Sequence, residues 1–255
     1  MCTLLLWKDR HPRYPAIVAA NRDEFYDRPA TGAQVLSADP LVVGGRDVTA
    51  GGSWFVVCAS GLVVAVTNRR DAGKHDPSKS SRGSLVLQLA QRSSLEAALA
   101  QCARIDPARY NPFIILLADS HAAAAVHGGD DGLRVRTIGA GPHAMTNWDL
   151  DAPAPPKAQH ALDVVRRLPI DPGARAGALA QTIFRALADH AAAGCALCVH
   201  APERAYGTRS STIAFLGTTP ADTKLYDAQG PPCTSLLEEK TALLYEGKRS
   251  LPMKN

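Results

Sequence analysis

The sequence predicts an α+β fold in which stacked antiparallel sheets are covered by helices. Short apolar runs separated by glycine and proline turns come first, and segments with helical periodicity follow. The same succession then repeats before final strands close the chain. Runs of strands followed by runs of helices are typical of this fold class, whereas regular alternation favours a parallel sheet.

The N-terminal part is predicted to form two β-hairpins. Apolar residues 2–7 and 16–20 flank a polar segment that contains proline, and a second pair of apolar runs flanks the Ser60-Gly61 turn. The charged segment 21–28 interrupts the apolar pattern, so we expect a loop or the end of a strand there.

Helices and further strands are predicted after residue 80. Leucines recur at helical spacing after Ser81 and Ser94, two residues that commonly cap helix N-termini. The other predicted elements are helices at 159–167 and 179–190 and strands at 113–118, 122–127, 133–138, 196–200, 212–216 and 224–226. No repeat or linker interrupts this order, so we expect one domain spanning residues 1–255.

Charge and composition argue against a protein that binds nucleic acid or spans a membrane. The chain has 28 basic and 24 acidic side chains. Its densest basic segment, residues 69–82, contains two aspartates and lacks the Phe, Tyr or Trp rings on which nucleobases stack. No apolar run reaches the roughly 18 residues of a membrane span, and no signal peptide is evident. We therefore expect a cytoplasmic protein with a small-molecule partner; the oligomeric state stays open.

The six cysteines are expected to stay reduced in the cytoplasm. Cys195 and Cys198 form a CxxC pair, but no second CxxC completes a zinc motif, and His200 is one residue too late for covalent haem attachment. The histidines show no metal-ligand spacing. We therefore expect buried thiols at this pair and no metal site.

Cys2 is the candidate nucleophile. Cysteine is small enough to permit removal of the preceding methionine, and that removal would leave a thiol and a free α-amine on one residue. The amine titrates near about 7.7–8.0 and a free thiol near about 8.5, so the amine can accept the thiol proton at little cost. A cysteine at this position is also typical of an ordinary first strand.

The segment Ala20-Asn21-Arg22-Asp23-Glu24-Phe25-Tyr26 resembles the NRDE motif of the transport-and-Golgi-organisation family. Other landmarks of that family follow in family order along most of the chain. They are Met1-Cys2, Gly52-Ser53-Trp54, Thr67-Asn68, Arg82-Gly83, Thr146-Asn147 and Tyr206-Gly207-Thr208-Arg209-Ser210-Ser211-Thr212.

A more distant resemblance, to choloylglycine hydrolases and penicillin V acylases, implies a fold and a role for several landmarks. Those enzymes also begin Met-Cys-Thr and have the four-layer αββα fold of N-terminal-nucleophile (Ntn) hydrolases. The resemblance implies that Cys2 is the nucleophile and that Arg22 stabilises its thiolate. It also implies that Asp23 or Glu24 binds the α-ammonium group.

The same resemblance implies roles for three residues far along the chain. Asn68 would donate a hydrogen bond to an oxyanion, and Asn147 would position the α-amine or the substrate. Arg209 would stabilise the thiolate or bind an anionic part of the substrate.

The register of the NRDE segment departs from the acylases, in which the basic and acidic residues are three apart. Here that spacing falls on Asn21 and Glu24, with Arg22 and Asp23 between them. Neighbours in an extended strand point to opposite faces, so Arg22 and Asp23 share a pocket only if the strand ends or bulges there. Asn21 and Glu24 are therefore an alternative pair, and a structural ion network at the strand end is a further interpretation.

Function stays open between two main hypotheses. In the first, the protein hydrolyses a linear amide C–N bond of an acyl amide through a thioester at Cys2, and no cofactor is required. In the second, which the family resemblance implies, it binds or transports haem or acyl-coenzyme A, using the basic segment 69–82 and Arg209 to bind carboxylates or phosphates. A purely structural interaction protein is a third interpretation, because one fold can host unrelated functions.

Overall fold

The computed structural model describes residues 2–70, 75–191 and 194–248. Two seven-stranded antiparallel sheets are stacked face to face, and α-helices pack on the outer face of each sheet. The predicted α+β class and the four-layer αββα arrangement are confirmed.

These layers are built from the following elements. The strands are β1 (Cys2–Lys8), β2 (Ala16–Phe25), β3 (Gln34–Ala38), β4 (Leu41–Gly44), β5 (Phe55–Cys58), β6 (Val63–Asn68), β7 (Phe113–Ala118), β8 (Ala123–Gly129), β9 (Gly132–Thr137), β10 (Gly141–Met145), β11 (His200–Ala201), β12 (Tyr206–Leu216), β13 (Lys224–Gln229) and β14 (Glu238–Glu239). The α-helices are α1 (Arg82–Ala90), α2 (Leu95–Cys102), α3 (Pro156–Arg167) and α4 (Ala176–Leu187). Short 3₁₀ helices lie at Pro107–Arg109, Pro202–Arg204, Pro220–Asp222 and Thr241–Lys248.

The first sheet joins distant parts of the chain. Its strand order is β10-β1-β2-β12-β13-β14, with β11 paired to β12. The second sheet, β3 to β9, pairs each strand with the next one in sequence. Because β2 lies between β1 and β12, Arg22 has Cys2 on one side and Ser210 on the other.

Alternation along β1 distributes its side chains between two apolar layers. Leu4 and Leu6 pack between the two sheets, whereas Leu5 and Trp7 pack on the opposite face with the residues of α3 and α4. A third apolar layer lies between the second sheet and helices α1 and α2. Since both faces of β1 are covered, its sequence is a continuous apolar run without polar alternation.

The charged segment 21–28 was predicted to leave the sheet. This prediction is wrong for residues 21–25, which belong to β2. Strand β2 continues through Phe25 because its buried polar side chains find partners. The side-chain amide of Asn21, for example, donates hydrogen bonds to the carbonyl oxygens of Leu187 and Leu197, each at 2.9 Å. The predicted strand at 196–200 is also corrected, since regular pairing covers only His200–Ala201.

Helices α1 and α2 begin where their capping residues predicted. The side chains of Ser81 and Ser94 accept hydrogen bonds from the backbone N–H groups of Gly83 and Ala97. A Cβ atom on Gly52 would lie 2.5 Å from the carbonyl carbon of Gly83, so this contact requires glycine. The close approach holds the first turn of α1, and with it Arg82, against the segment that leads into β5.

In the part of the chain that the model describes, the helices are too short or too polar to cross a bilayer.

Candidate active site

Cys2 and Arg22 face each other across β1 and β2. They are direct antiparallel partners, so their side chains share one face of the sheet, the face that meets the second sheet. Arg22 is only 4% exposed, and its guanidinium carbon lies 4.5 Å from the centroid of the Trp54 ring. The aromatic face of Trp54 therefore stabilises a buried cation beside the thiol.

The acidity of the Cys2 thiol reflects opposing effects. Burial raises the pKa of Cys2 above its ordinary value, and the negative charge of Asp23 adds to this. The positive charge of Arg22 and a hydrogen bond from the backbone of Asp23 act in the other direction. Burial also lowers the pKa of Arg22, and the nearby Cys2 opposes that shift. Burial outweighs the cation, so the net effect is a raised pKa for the Cys2 thiol.

Arg82 is a second cation near the thiol. Burial lowers the pKa of Arg82, while Cys2 and Glu24 oppose the shift by charge. The Nη1 atom of Arg82 donates a hydrogen bond to the carbonyl oxygen of Pro112 at 3.2 Å. Arg82 was not among the catalytic residues predicted from sequence. Its place in the Arg82-Gly83 landmark of the family was the sequence feature that could have indicated a role for Arg82.

Asp23 lies on the face opposite Cys2 and belongs to a buried polar network. Its fully buried carboxylate accepts hydrogen bonds from Lys157 Nζ at 3.0 Å and from Thr208 Oγ1 at 2.7 Å. Thr208 pairs with Asp23 and Ser210 with Arg22, so Arg209 is an additional residue that forms a β-bulge on β12. The bulge thus lies on the neighbouring strand, and β2 itself stays regular.

The regular register of β2 decides which residues of the NRDE segment share a face. Arg22 and Glu24 lie on the face of Cys2, and Asn21 and Asp23 lie on the helix-covered face. Asn21 is fully buried there and accepts a hydrogen bond from Ser211 Oγ at 2.6 Å. The structure therefore separates the alternative pair: Asn21 braces the helix layer, while Glu24 lines a cavity.

This cavity has a volume of about 1030 Å³ and brings Asn68 and Asn147 together. Asn147 Nδ2 donates a hydrogen bond to the backbone oxygen of Asn68 at 2.7 Å. Asn147 is 1% exposed, and its Oδ1 atom has no hydrogen-bond partner among the described residues. An unpaired buried acceptor is unfavourable, so a ligand or an ammonium group that donates to this oxygen would be stabilising.

Glu24 and Arg82 connect the cavity to the thiol. Both residues line the cavity. Glu24 interacts by charge with Arg22, and Arg82 interacts by charge with Cys2. Cys2 is not among the described residues that form the cavity wall. Neither is Arg209, whose guanidinium carbon lies 5.3 Å from the centroid of the Tyr26 ring. Arg209, which was predicted from sequence, therefore lies beside the NRDE segment and does not line the cavity.

Similarity to solved structures defines the class of protein. Penicillin V acylase from Agrobacterium tumefaciens superposes with a TM-score of 0.59 at 12% identity, covering 94% of this chain and 86% of that chain. The Caenorhabditis elegans ortholog of N-acylethanolamine-hydrolyzing acid amidase gives a TM-score of 0.52 at 11% identity, covering 84% and 92%. The protein therefore has an Ntn-hydrolase fold. At these identities the likeness concerns the fold alone.

Sequence comparison defines the family. The family model for Transport and Golgi organisation 2 matches residues 1–223, so the chain belongs to this family. The Transport and Golgi organization 2 homolog of Mus musculus is 30% identical over 126 residues, 47% of this chain and 45% of that protein. The Homo sapiens homolog is 28% identical over 130 residues, 48% and 47%. The matched region spans about half the length of these curated relatives.

Replacing Arg22 by Gln is expected to make Cys2 less reactive toward iodoacetamide at neutral pH. The cation favours the thiolate, which is the form that reacts, so the midpoint of the alkylation rate against pH should move to higher pH. Peptide mass spectrometry of timed samples measures this rate at Cys2. Arg10→Gln, which removes an exposed cation, is the control and should leave the midpoint in place. An unchanged midpoint in R22Q would show that Arg22 does not act on the thiol.

Replacing Lys157 by Met is expected to lower the free energy of unfolding by about 3–5 kcal/mol, because it leaves the Asp23 carboxylate buried without its cation. Urea unfolding measures the change. Lys79→Met breaks the exposed pair between Lys79 and Asp130, which is 2.9 Å long, and should cost only about 0–1 kcal/mol. Equal losses in the two variants would contradict a special contribution from the buried pair.

Proposed function

We propose that the protein is an amidohydrolase that cleaves a linear amide C–N bond through a thioester at Cys2. The observation that carries this proposal is the cross-strand pair of Cys2 and Arg22, with Arg82 as a second cation near the sulfur. Cations beside a partly buried thiol stabilise the thiolate, which is the nucleophilic form. The fold supports the proposal, because it is shared with an acylase and an amidase.

The first step requires that Cys2 carry a free α-amine, and therefore that residue 1 be absent. The amine accepts the thiol proton, and the sulfur attacks the carbonyl carbon of the substrate amide. The side chain of Asn68 would donate a hydrogen bond to the resulting oxyanion. Removing one such donor typically raises the barrier by about 2.7–4 kcal/mol.

The second step releases the amine. The α-ammonium group gives its proton to the leaving nitrogen as the C–N bond breaks, and the acyl group stays on Cys2 as a thioester. Water, deprotonated by the α-amine, then attacks the thioester carbonyl. The C–S bond breaks, the acyl group leaves as a carboxylic acid, and the α-ammonium group returns its proton to the Cys2 sulfur. Glu24, which lies on the face of Cys2, and the Oδ1 atom of Asn147 would hold the ammonium group during these transfers.

The cavity suggests the class of substrate. Its wall combines apolar surface from Phe25 and Pro112 with cations such as Arg82 and Lys157. Such a lining suits an amide with a hydrophobic acyl chain and an anionic group. A volume of about 1030 Å³ accommodates a molecule of that size.

The test is hydrolysis of a panel of acyl amides that includes penicillin V and an N-acylethanolamine, with intact mass measured on the same sample. We expect a chain that lacks residue 1, turnover that is abolished by Cys2→Ala, and a loss of about 10²–10³-fold in kcat for Asn68→Ala. Cys195→Ser, which leaves the Cys2 group intact, is the control and should keep full activity. Turnover that survives Cys2→Ala would remove the nucleophile assignment. Turnover by a chain that retains residue 1, or no turnover by a chain that lacks it, would contradict the mechanism.

A second candidate function is favoured by the charge of the cavity wall. Cations outnumber carboxylates in this wall even without Lys157, which pairs with Asp23. The carboxylates are those of Glu24 and Glu203, and the cations are Arg69, Arg70, Arg82 and Arg204. A positive cavity attracts carboxylates and phosphates through charge-assisted hydrogen bonds. On this alternative, the protein binds haem or acyl-coenzyme A and does not turn it over.

Binding of haem and of palmitoyl-coenzyme A to a Cys2→Ala variant tests this alternative without interference from hydrolysis. Added to that background, Arg82→Gln should weaken binding about 10–100-fold, because a hydrogen bond to a charged group contributes about 1.5–3 kcal/mol. Isothermal titration calorimetry measures the affinity, and Arg10→Gln should leave it unchanged. Equal affinity of the Arg82 and Arg10 variants would exclude the cavity as the binding site.

A further inference from the structure

Two thiols and two imidazoles form a cluster beside the cavity. Its members, His190, Cys198, His200 and Cys233, have candidate ligand atoms that all lie within 4.8 Å of one another. They come from three segments: the chain after α4, the stretch 198–200 that leads into β11, and the connection between β13 and β14. Only the fold brings these segments together, since 35 residues separate Cys198 from Cys233.

The spacings within the cluster match the edges of a tetrahedral zinc site. Cys198 Sγ lies 3.7 Å from Cys233 Sγ, and His200 Nε2 lies 3.4 Å from the first sulfur and 3.3 Å from the second. Zinc bonds of about 2.3 Å to sulfur and about 2.0–2.1 Å to nitrogen give tetrahedral edges of about 3.8 Å for S–S and about 3.6 Å for N–S. Three donors are therefore already placed around a common point at bonding distance, and His190 is within reach as the fourth.

We propose that His190, Cys198, His200 and Cys233 bind one zinc ion. Thiolate and imidazole ligands select zinc over magnesium, calcium or manganese, which prefer oxygen. Four protein ligands leave no open position, so the site is structural and not catalytic. Spacing along the sequence predicted no metal here, because Cys195, the other member of the CxxC pair, is not part of the cluster.

Zinc at this position would fix one wall of the cavity. His190, Cys198 and His200 line that wall. Between the two ligands of the Cys198–His200 stretch, the Val199 backbone N–H donates to Thr208 Oγ1 at 2.8 Å, and Thr208 Oγ1 donates to Asp23 at 2.7 Å. The metal ligands are thus connected through two hydrogen bonds to the buried carboxylate that lies near Cys2. This proposal does not depend on the hydrolase or carrier function.

The primary test uses the full wild-type chain, purified with a reductant and without chelators. Inductively coupled plasma mass spectrometry should give one zinc per chain. After removal of the metal, titration with Co²⁺ should give the intense visible bands of a tetrahedral site and a thiolate charge-transfer band that corresponds to two sulfur ligands. Metal removal should lower Tm by roughly 5–15 °C, and added zinc should restore it.

Variants locate the site. Cys233→Ser and His200→Ala should each lower the zinc content and weaken the Co²⁺ spectrum, whereas Cys195→Ser is the matched control and should retain one zinc per chain. Loss of zinc in C195S would overturn the assignment, because it would move the site to the CxxC pair. Reduced wild-type protein without zinc and without a tetrahedral Co²⁺ spectrum would also overturn it, as would a Cys198–Cys233 disulfide that persists under reductant. The wild-type titration decides the question even if a variant fails to fold.

Discussion

The constraint on which the structure depends is the burial of a charged strand end. Strand β2 carries Arg22 and Asp23 into the interior, where an unpaired charge is strongly unfavourable. The ring of Trp54 covers Arg22, and Lys157 and Thr208 bind Asp23. These partners come from three different parts of the chain, so the strand end is stable only when both sheets and the helix layer are assembled. The residues proposed to act in catalysis are therefore also residues that stabilise the fold.

The thiol at the centre of this network is subject to opposing electrostatic effects. Burial raises the pKa of Cys2, and Arg22 acts against it without overcoming it. A low thiol pKa is not needed in the proposed mechanism, because a neighbouring α-amine would accept the proton as the sulfur attacks. Asn68, which lines the cavity, would then donate a hydrogen bond to the oxyanion.

Two groups of reactive side chains meet the same cavity from different directions. Glu24 and Arg82 connect it to Cys2, while Cys198 and His200 belong to its wall on the side of β11. Thr208 lies between the groups, since it is bonded to both Val199 and Asp23. A structural metal on one side and a reactive thiol on the other would allow a rigid wall to hold the ligand while the chemistry occurs at the strand end. The basic lining is compatible with either turnover or simple binding of an anionic ligand.

The sequence by itself determined the features that depend on neighbouring residues. Apolar runs, glycine turns and the caps Ser81 and Ser94 are local signals, and they predicted the α-helices and most of the longer strands, but not β3, β4 or β10. The motif around Arg22 and the position of Cys2 likewise indicated the family. The tertiary structure decided which side chains share a face and a cavity. The separation of Asn21 from Glu24, the approach of Arg82 to the thiol and the meeting of Cys198 with Cys233 all depend on contacts between distant segments. The periodicity of a short segment does not predict such contacts, because strand pairing and packing between layers form only when the whole core assembles.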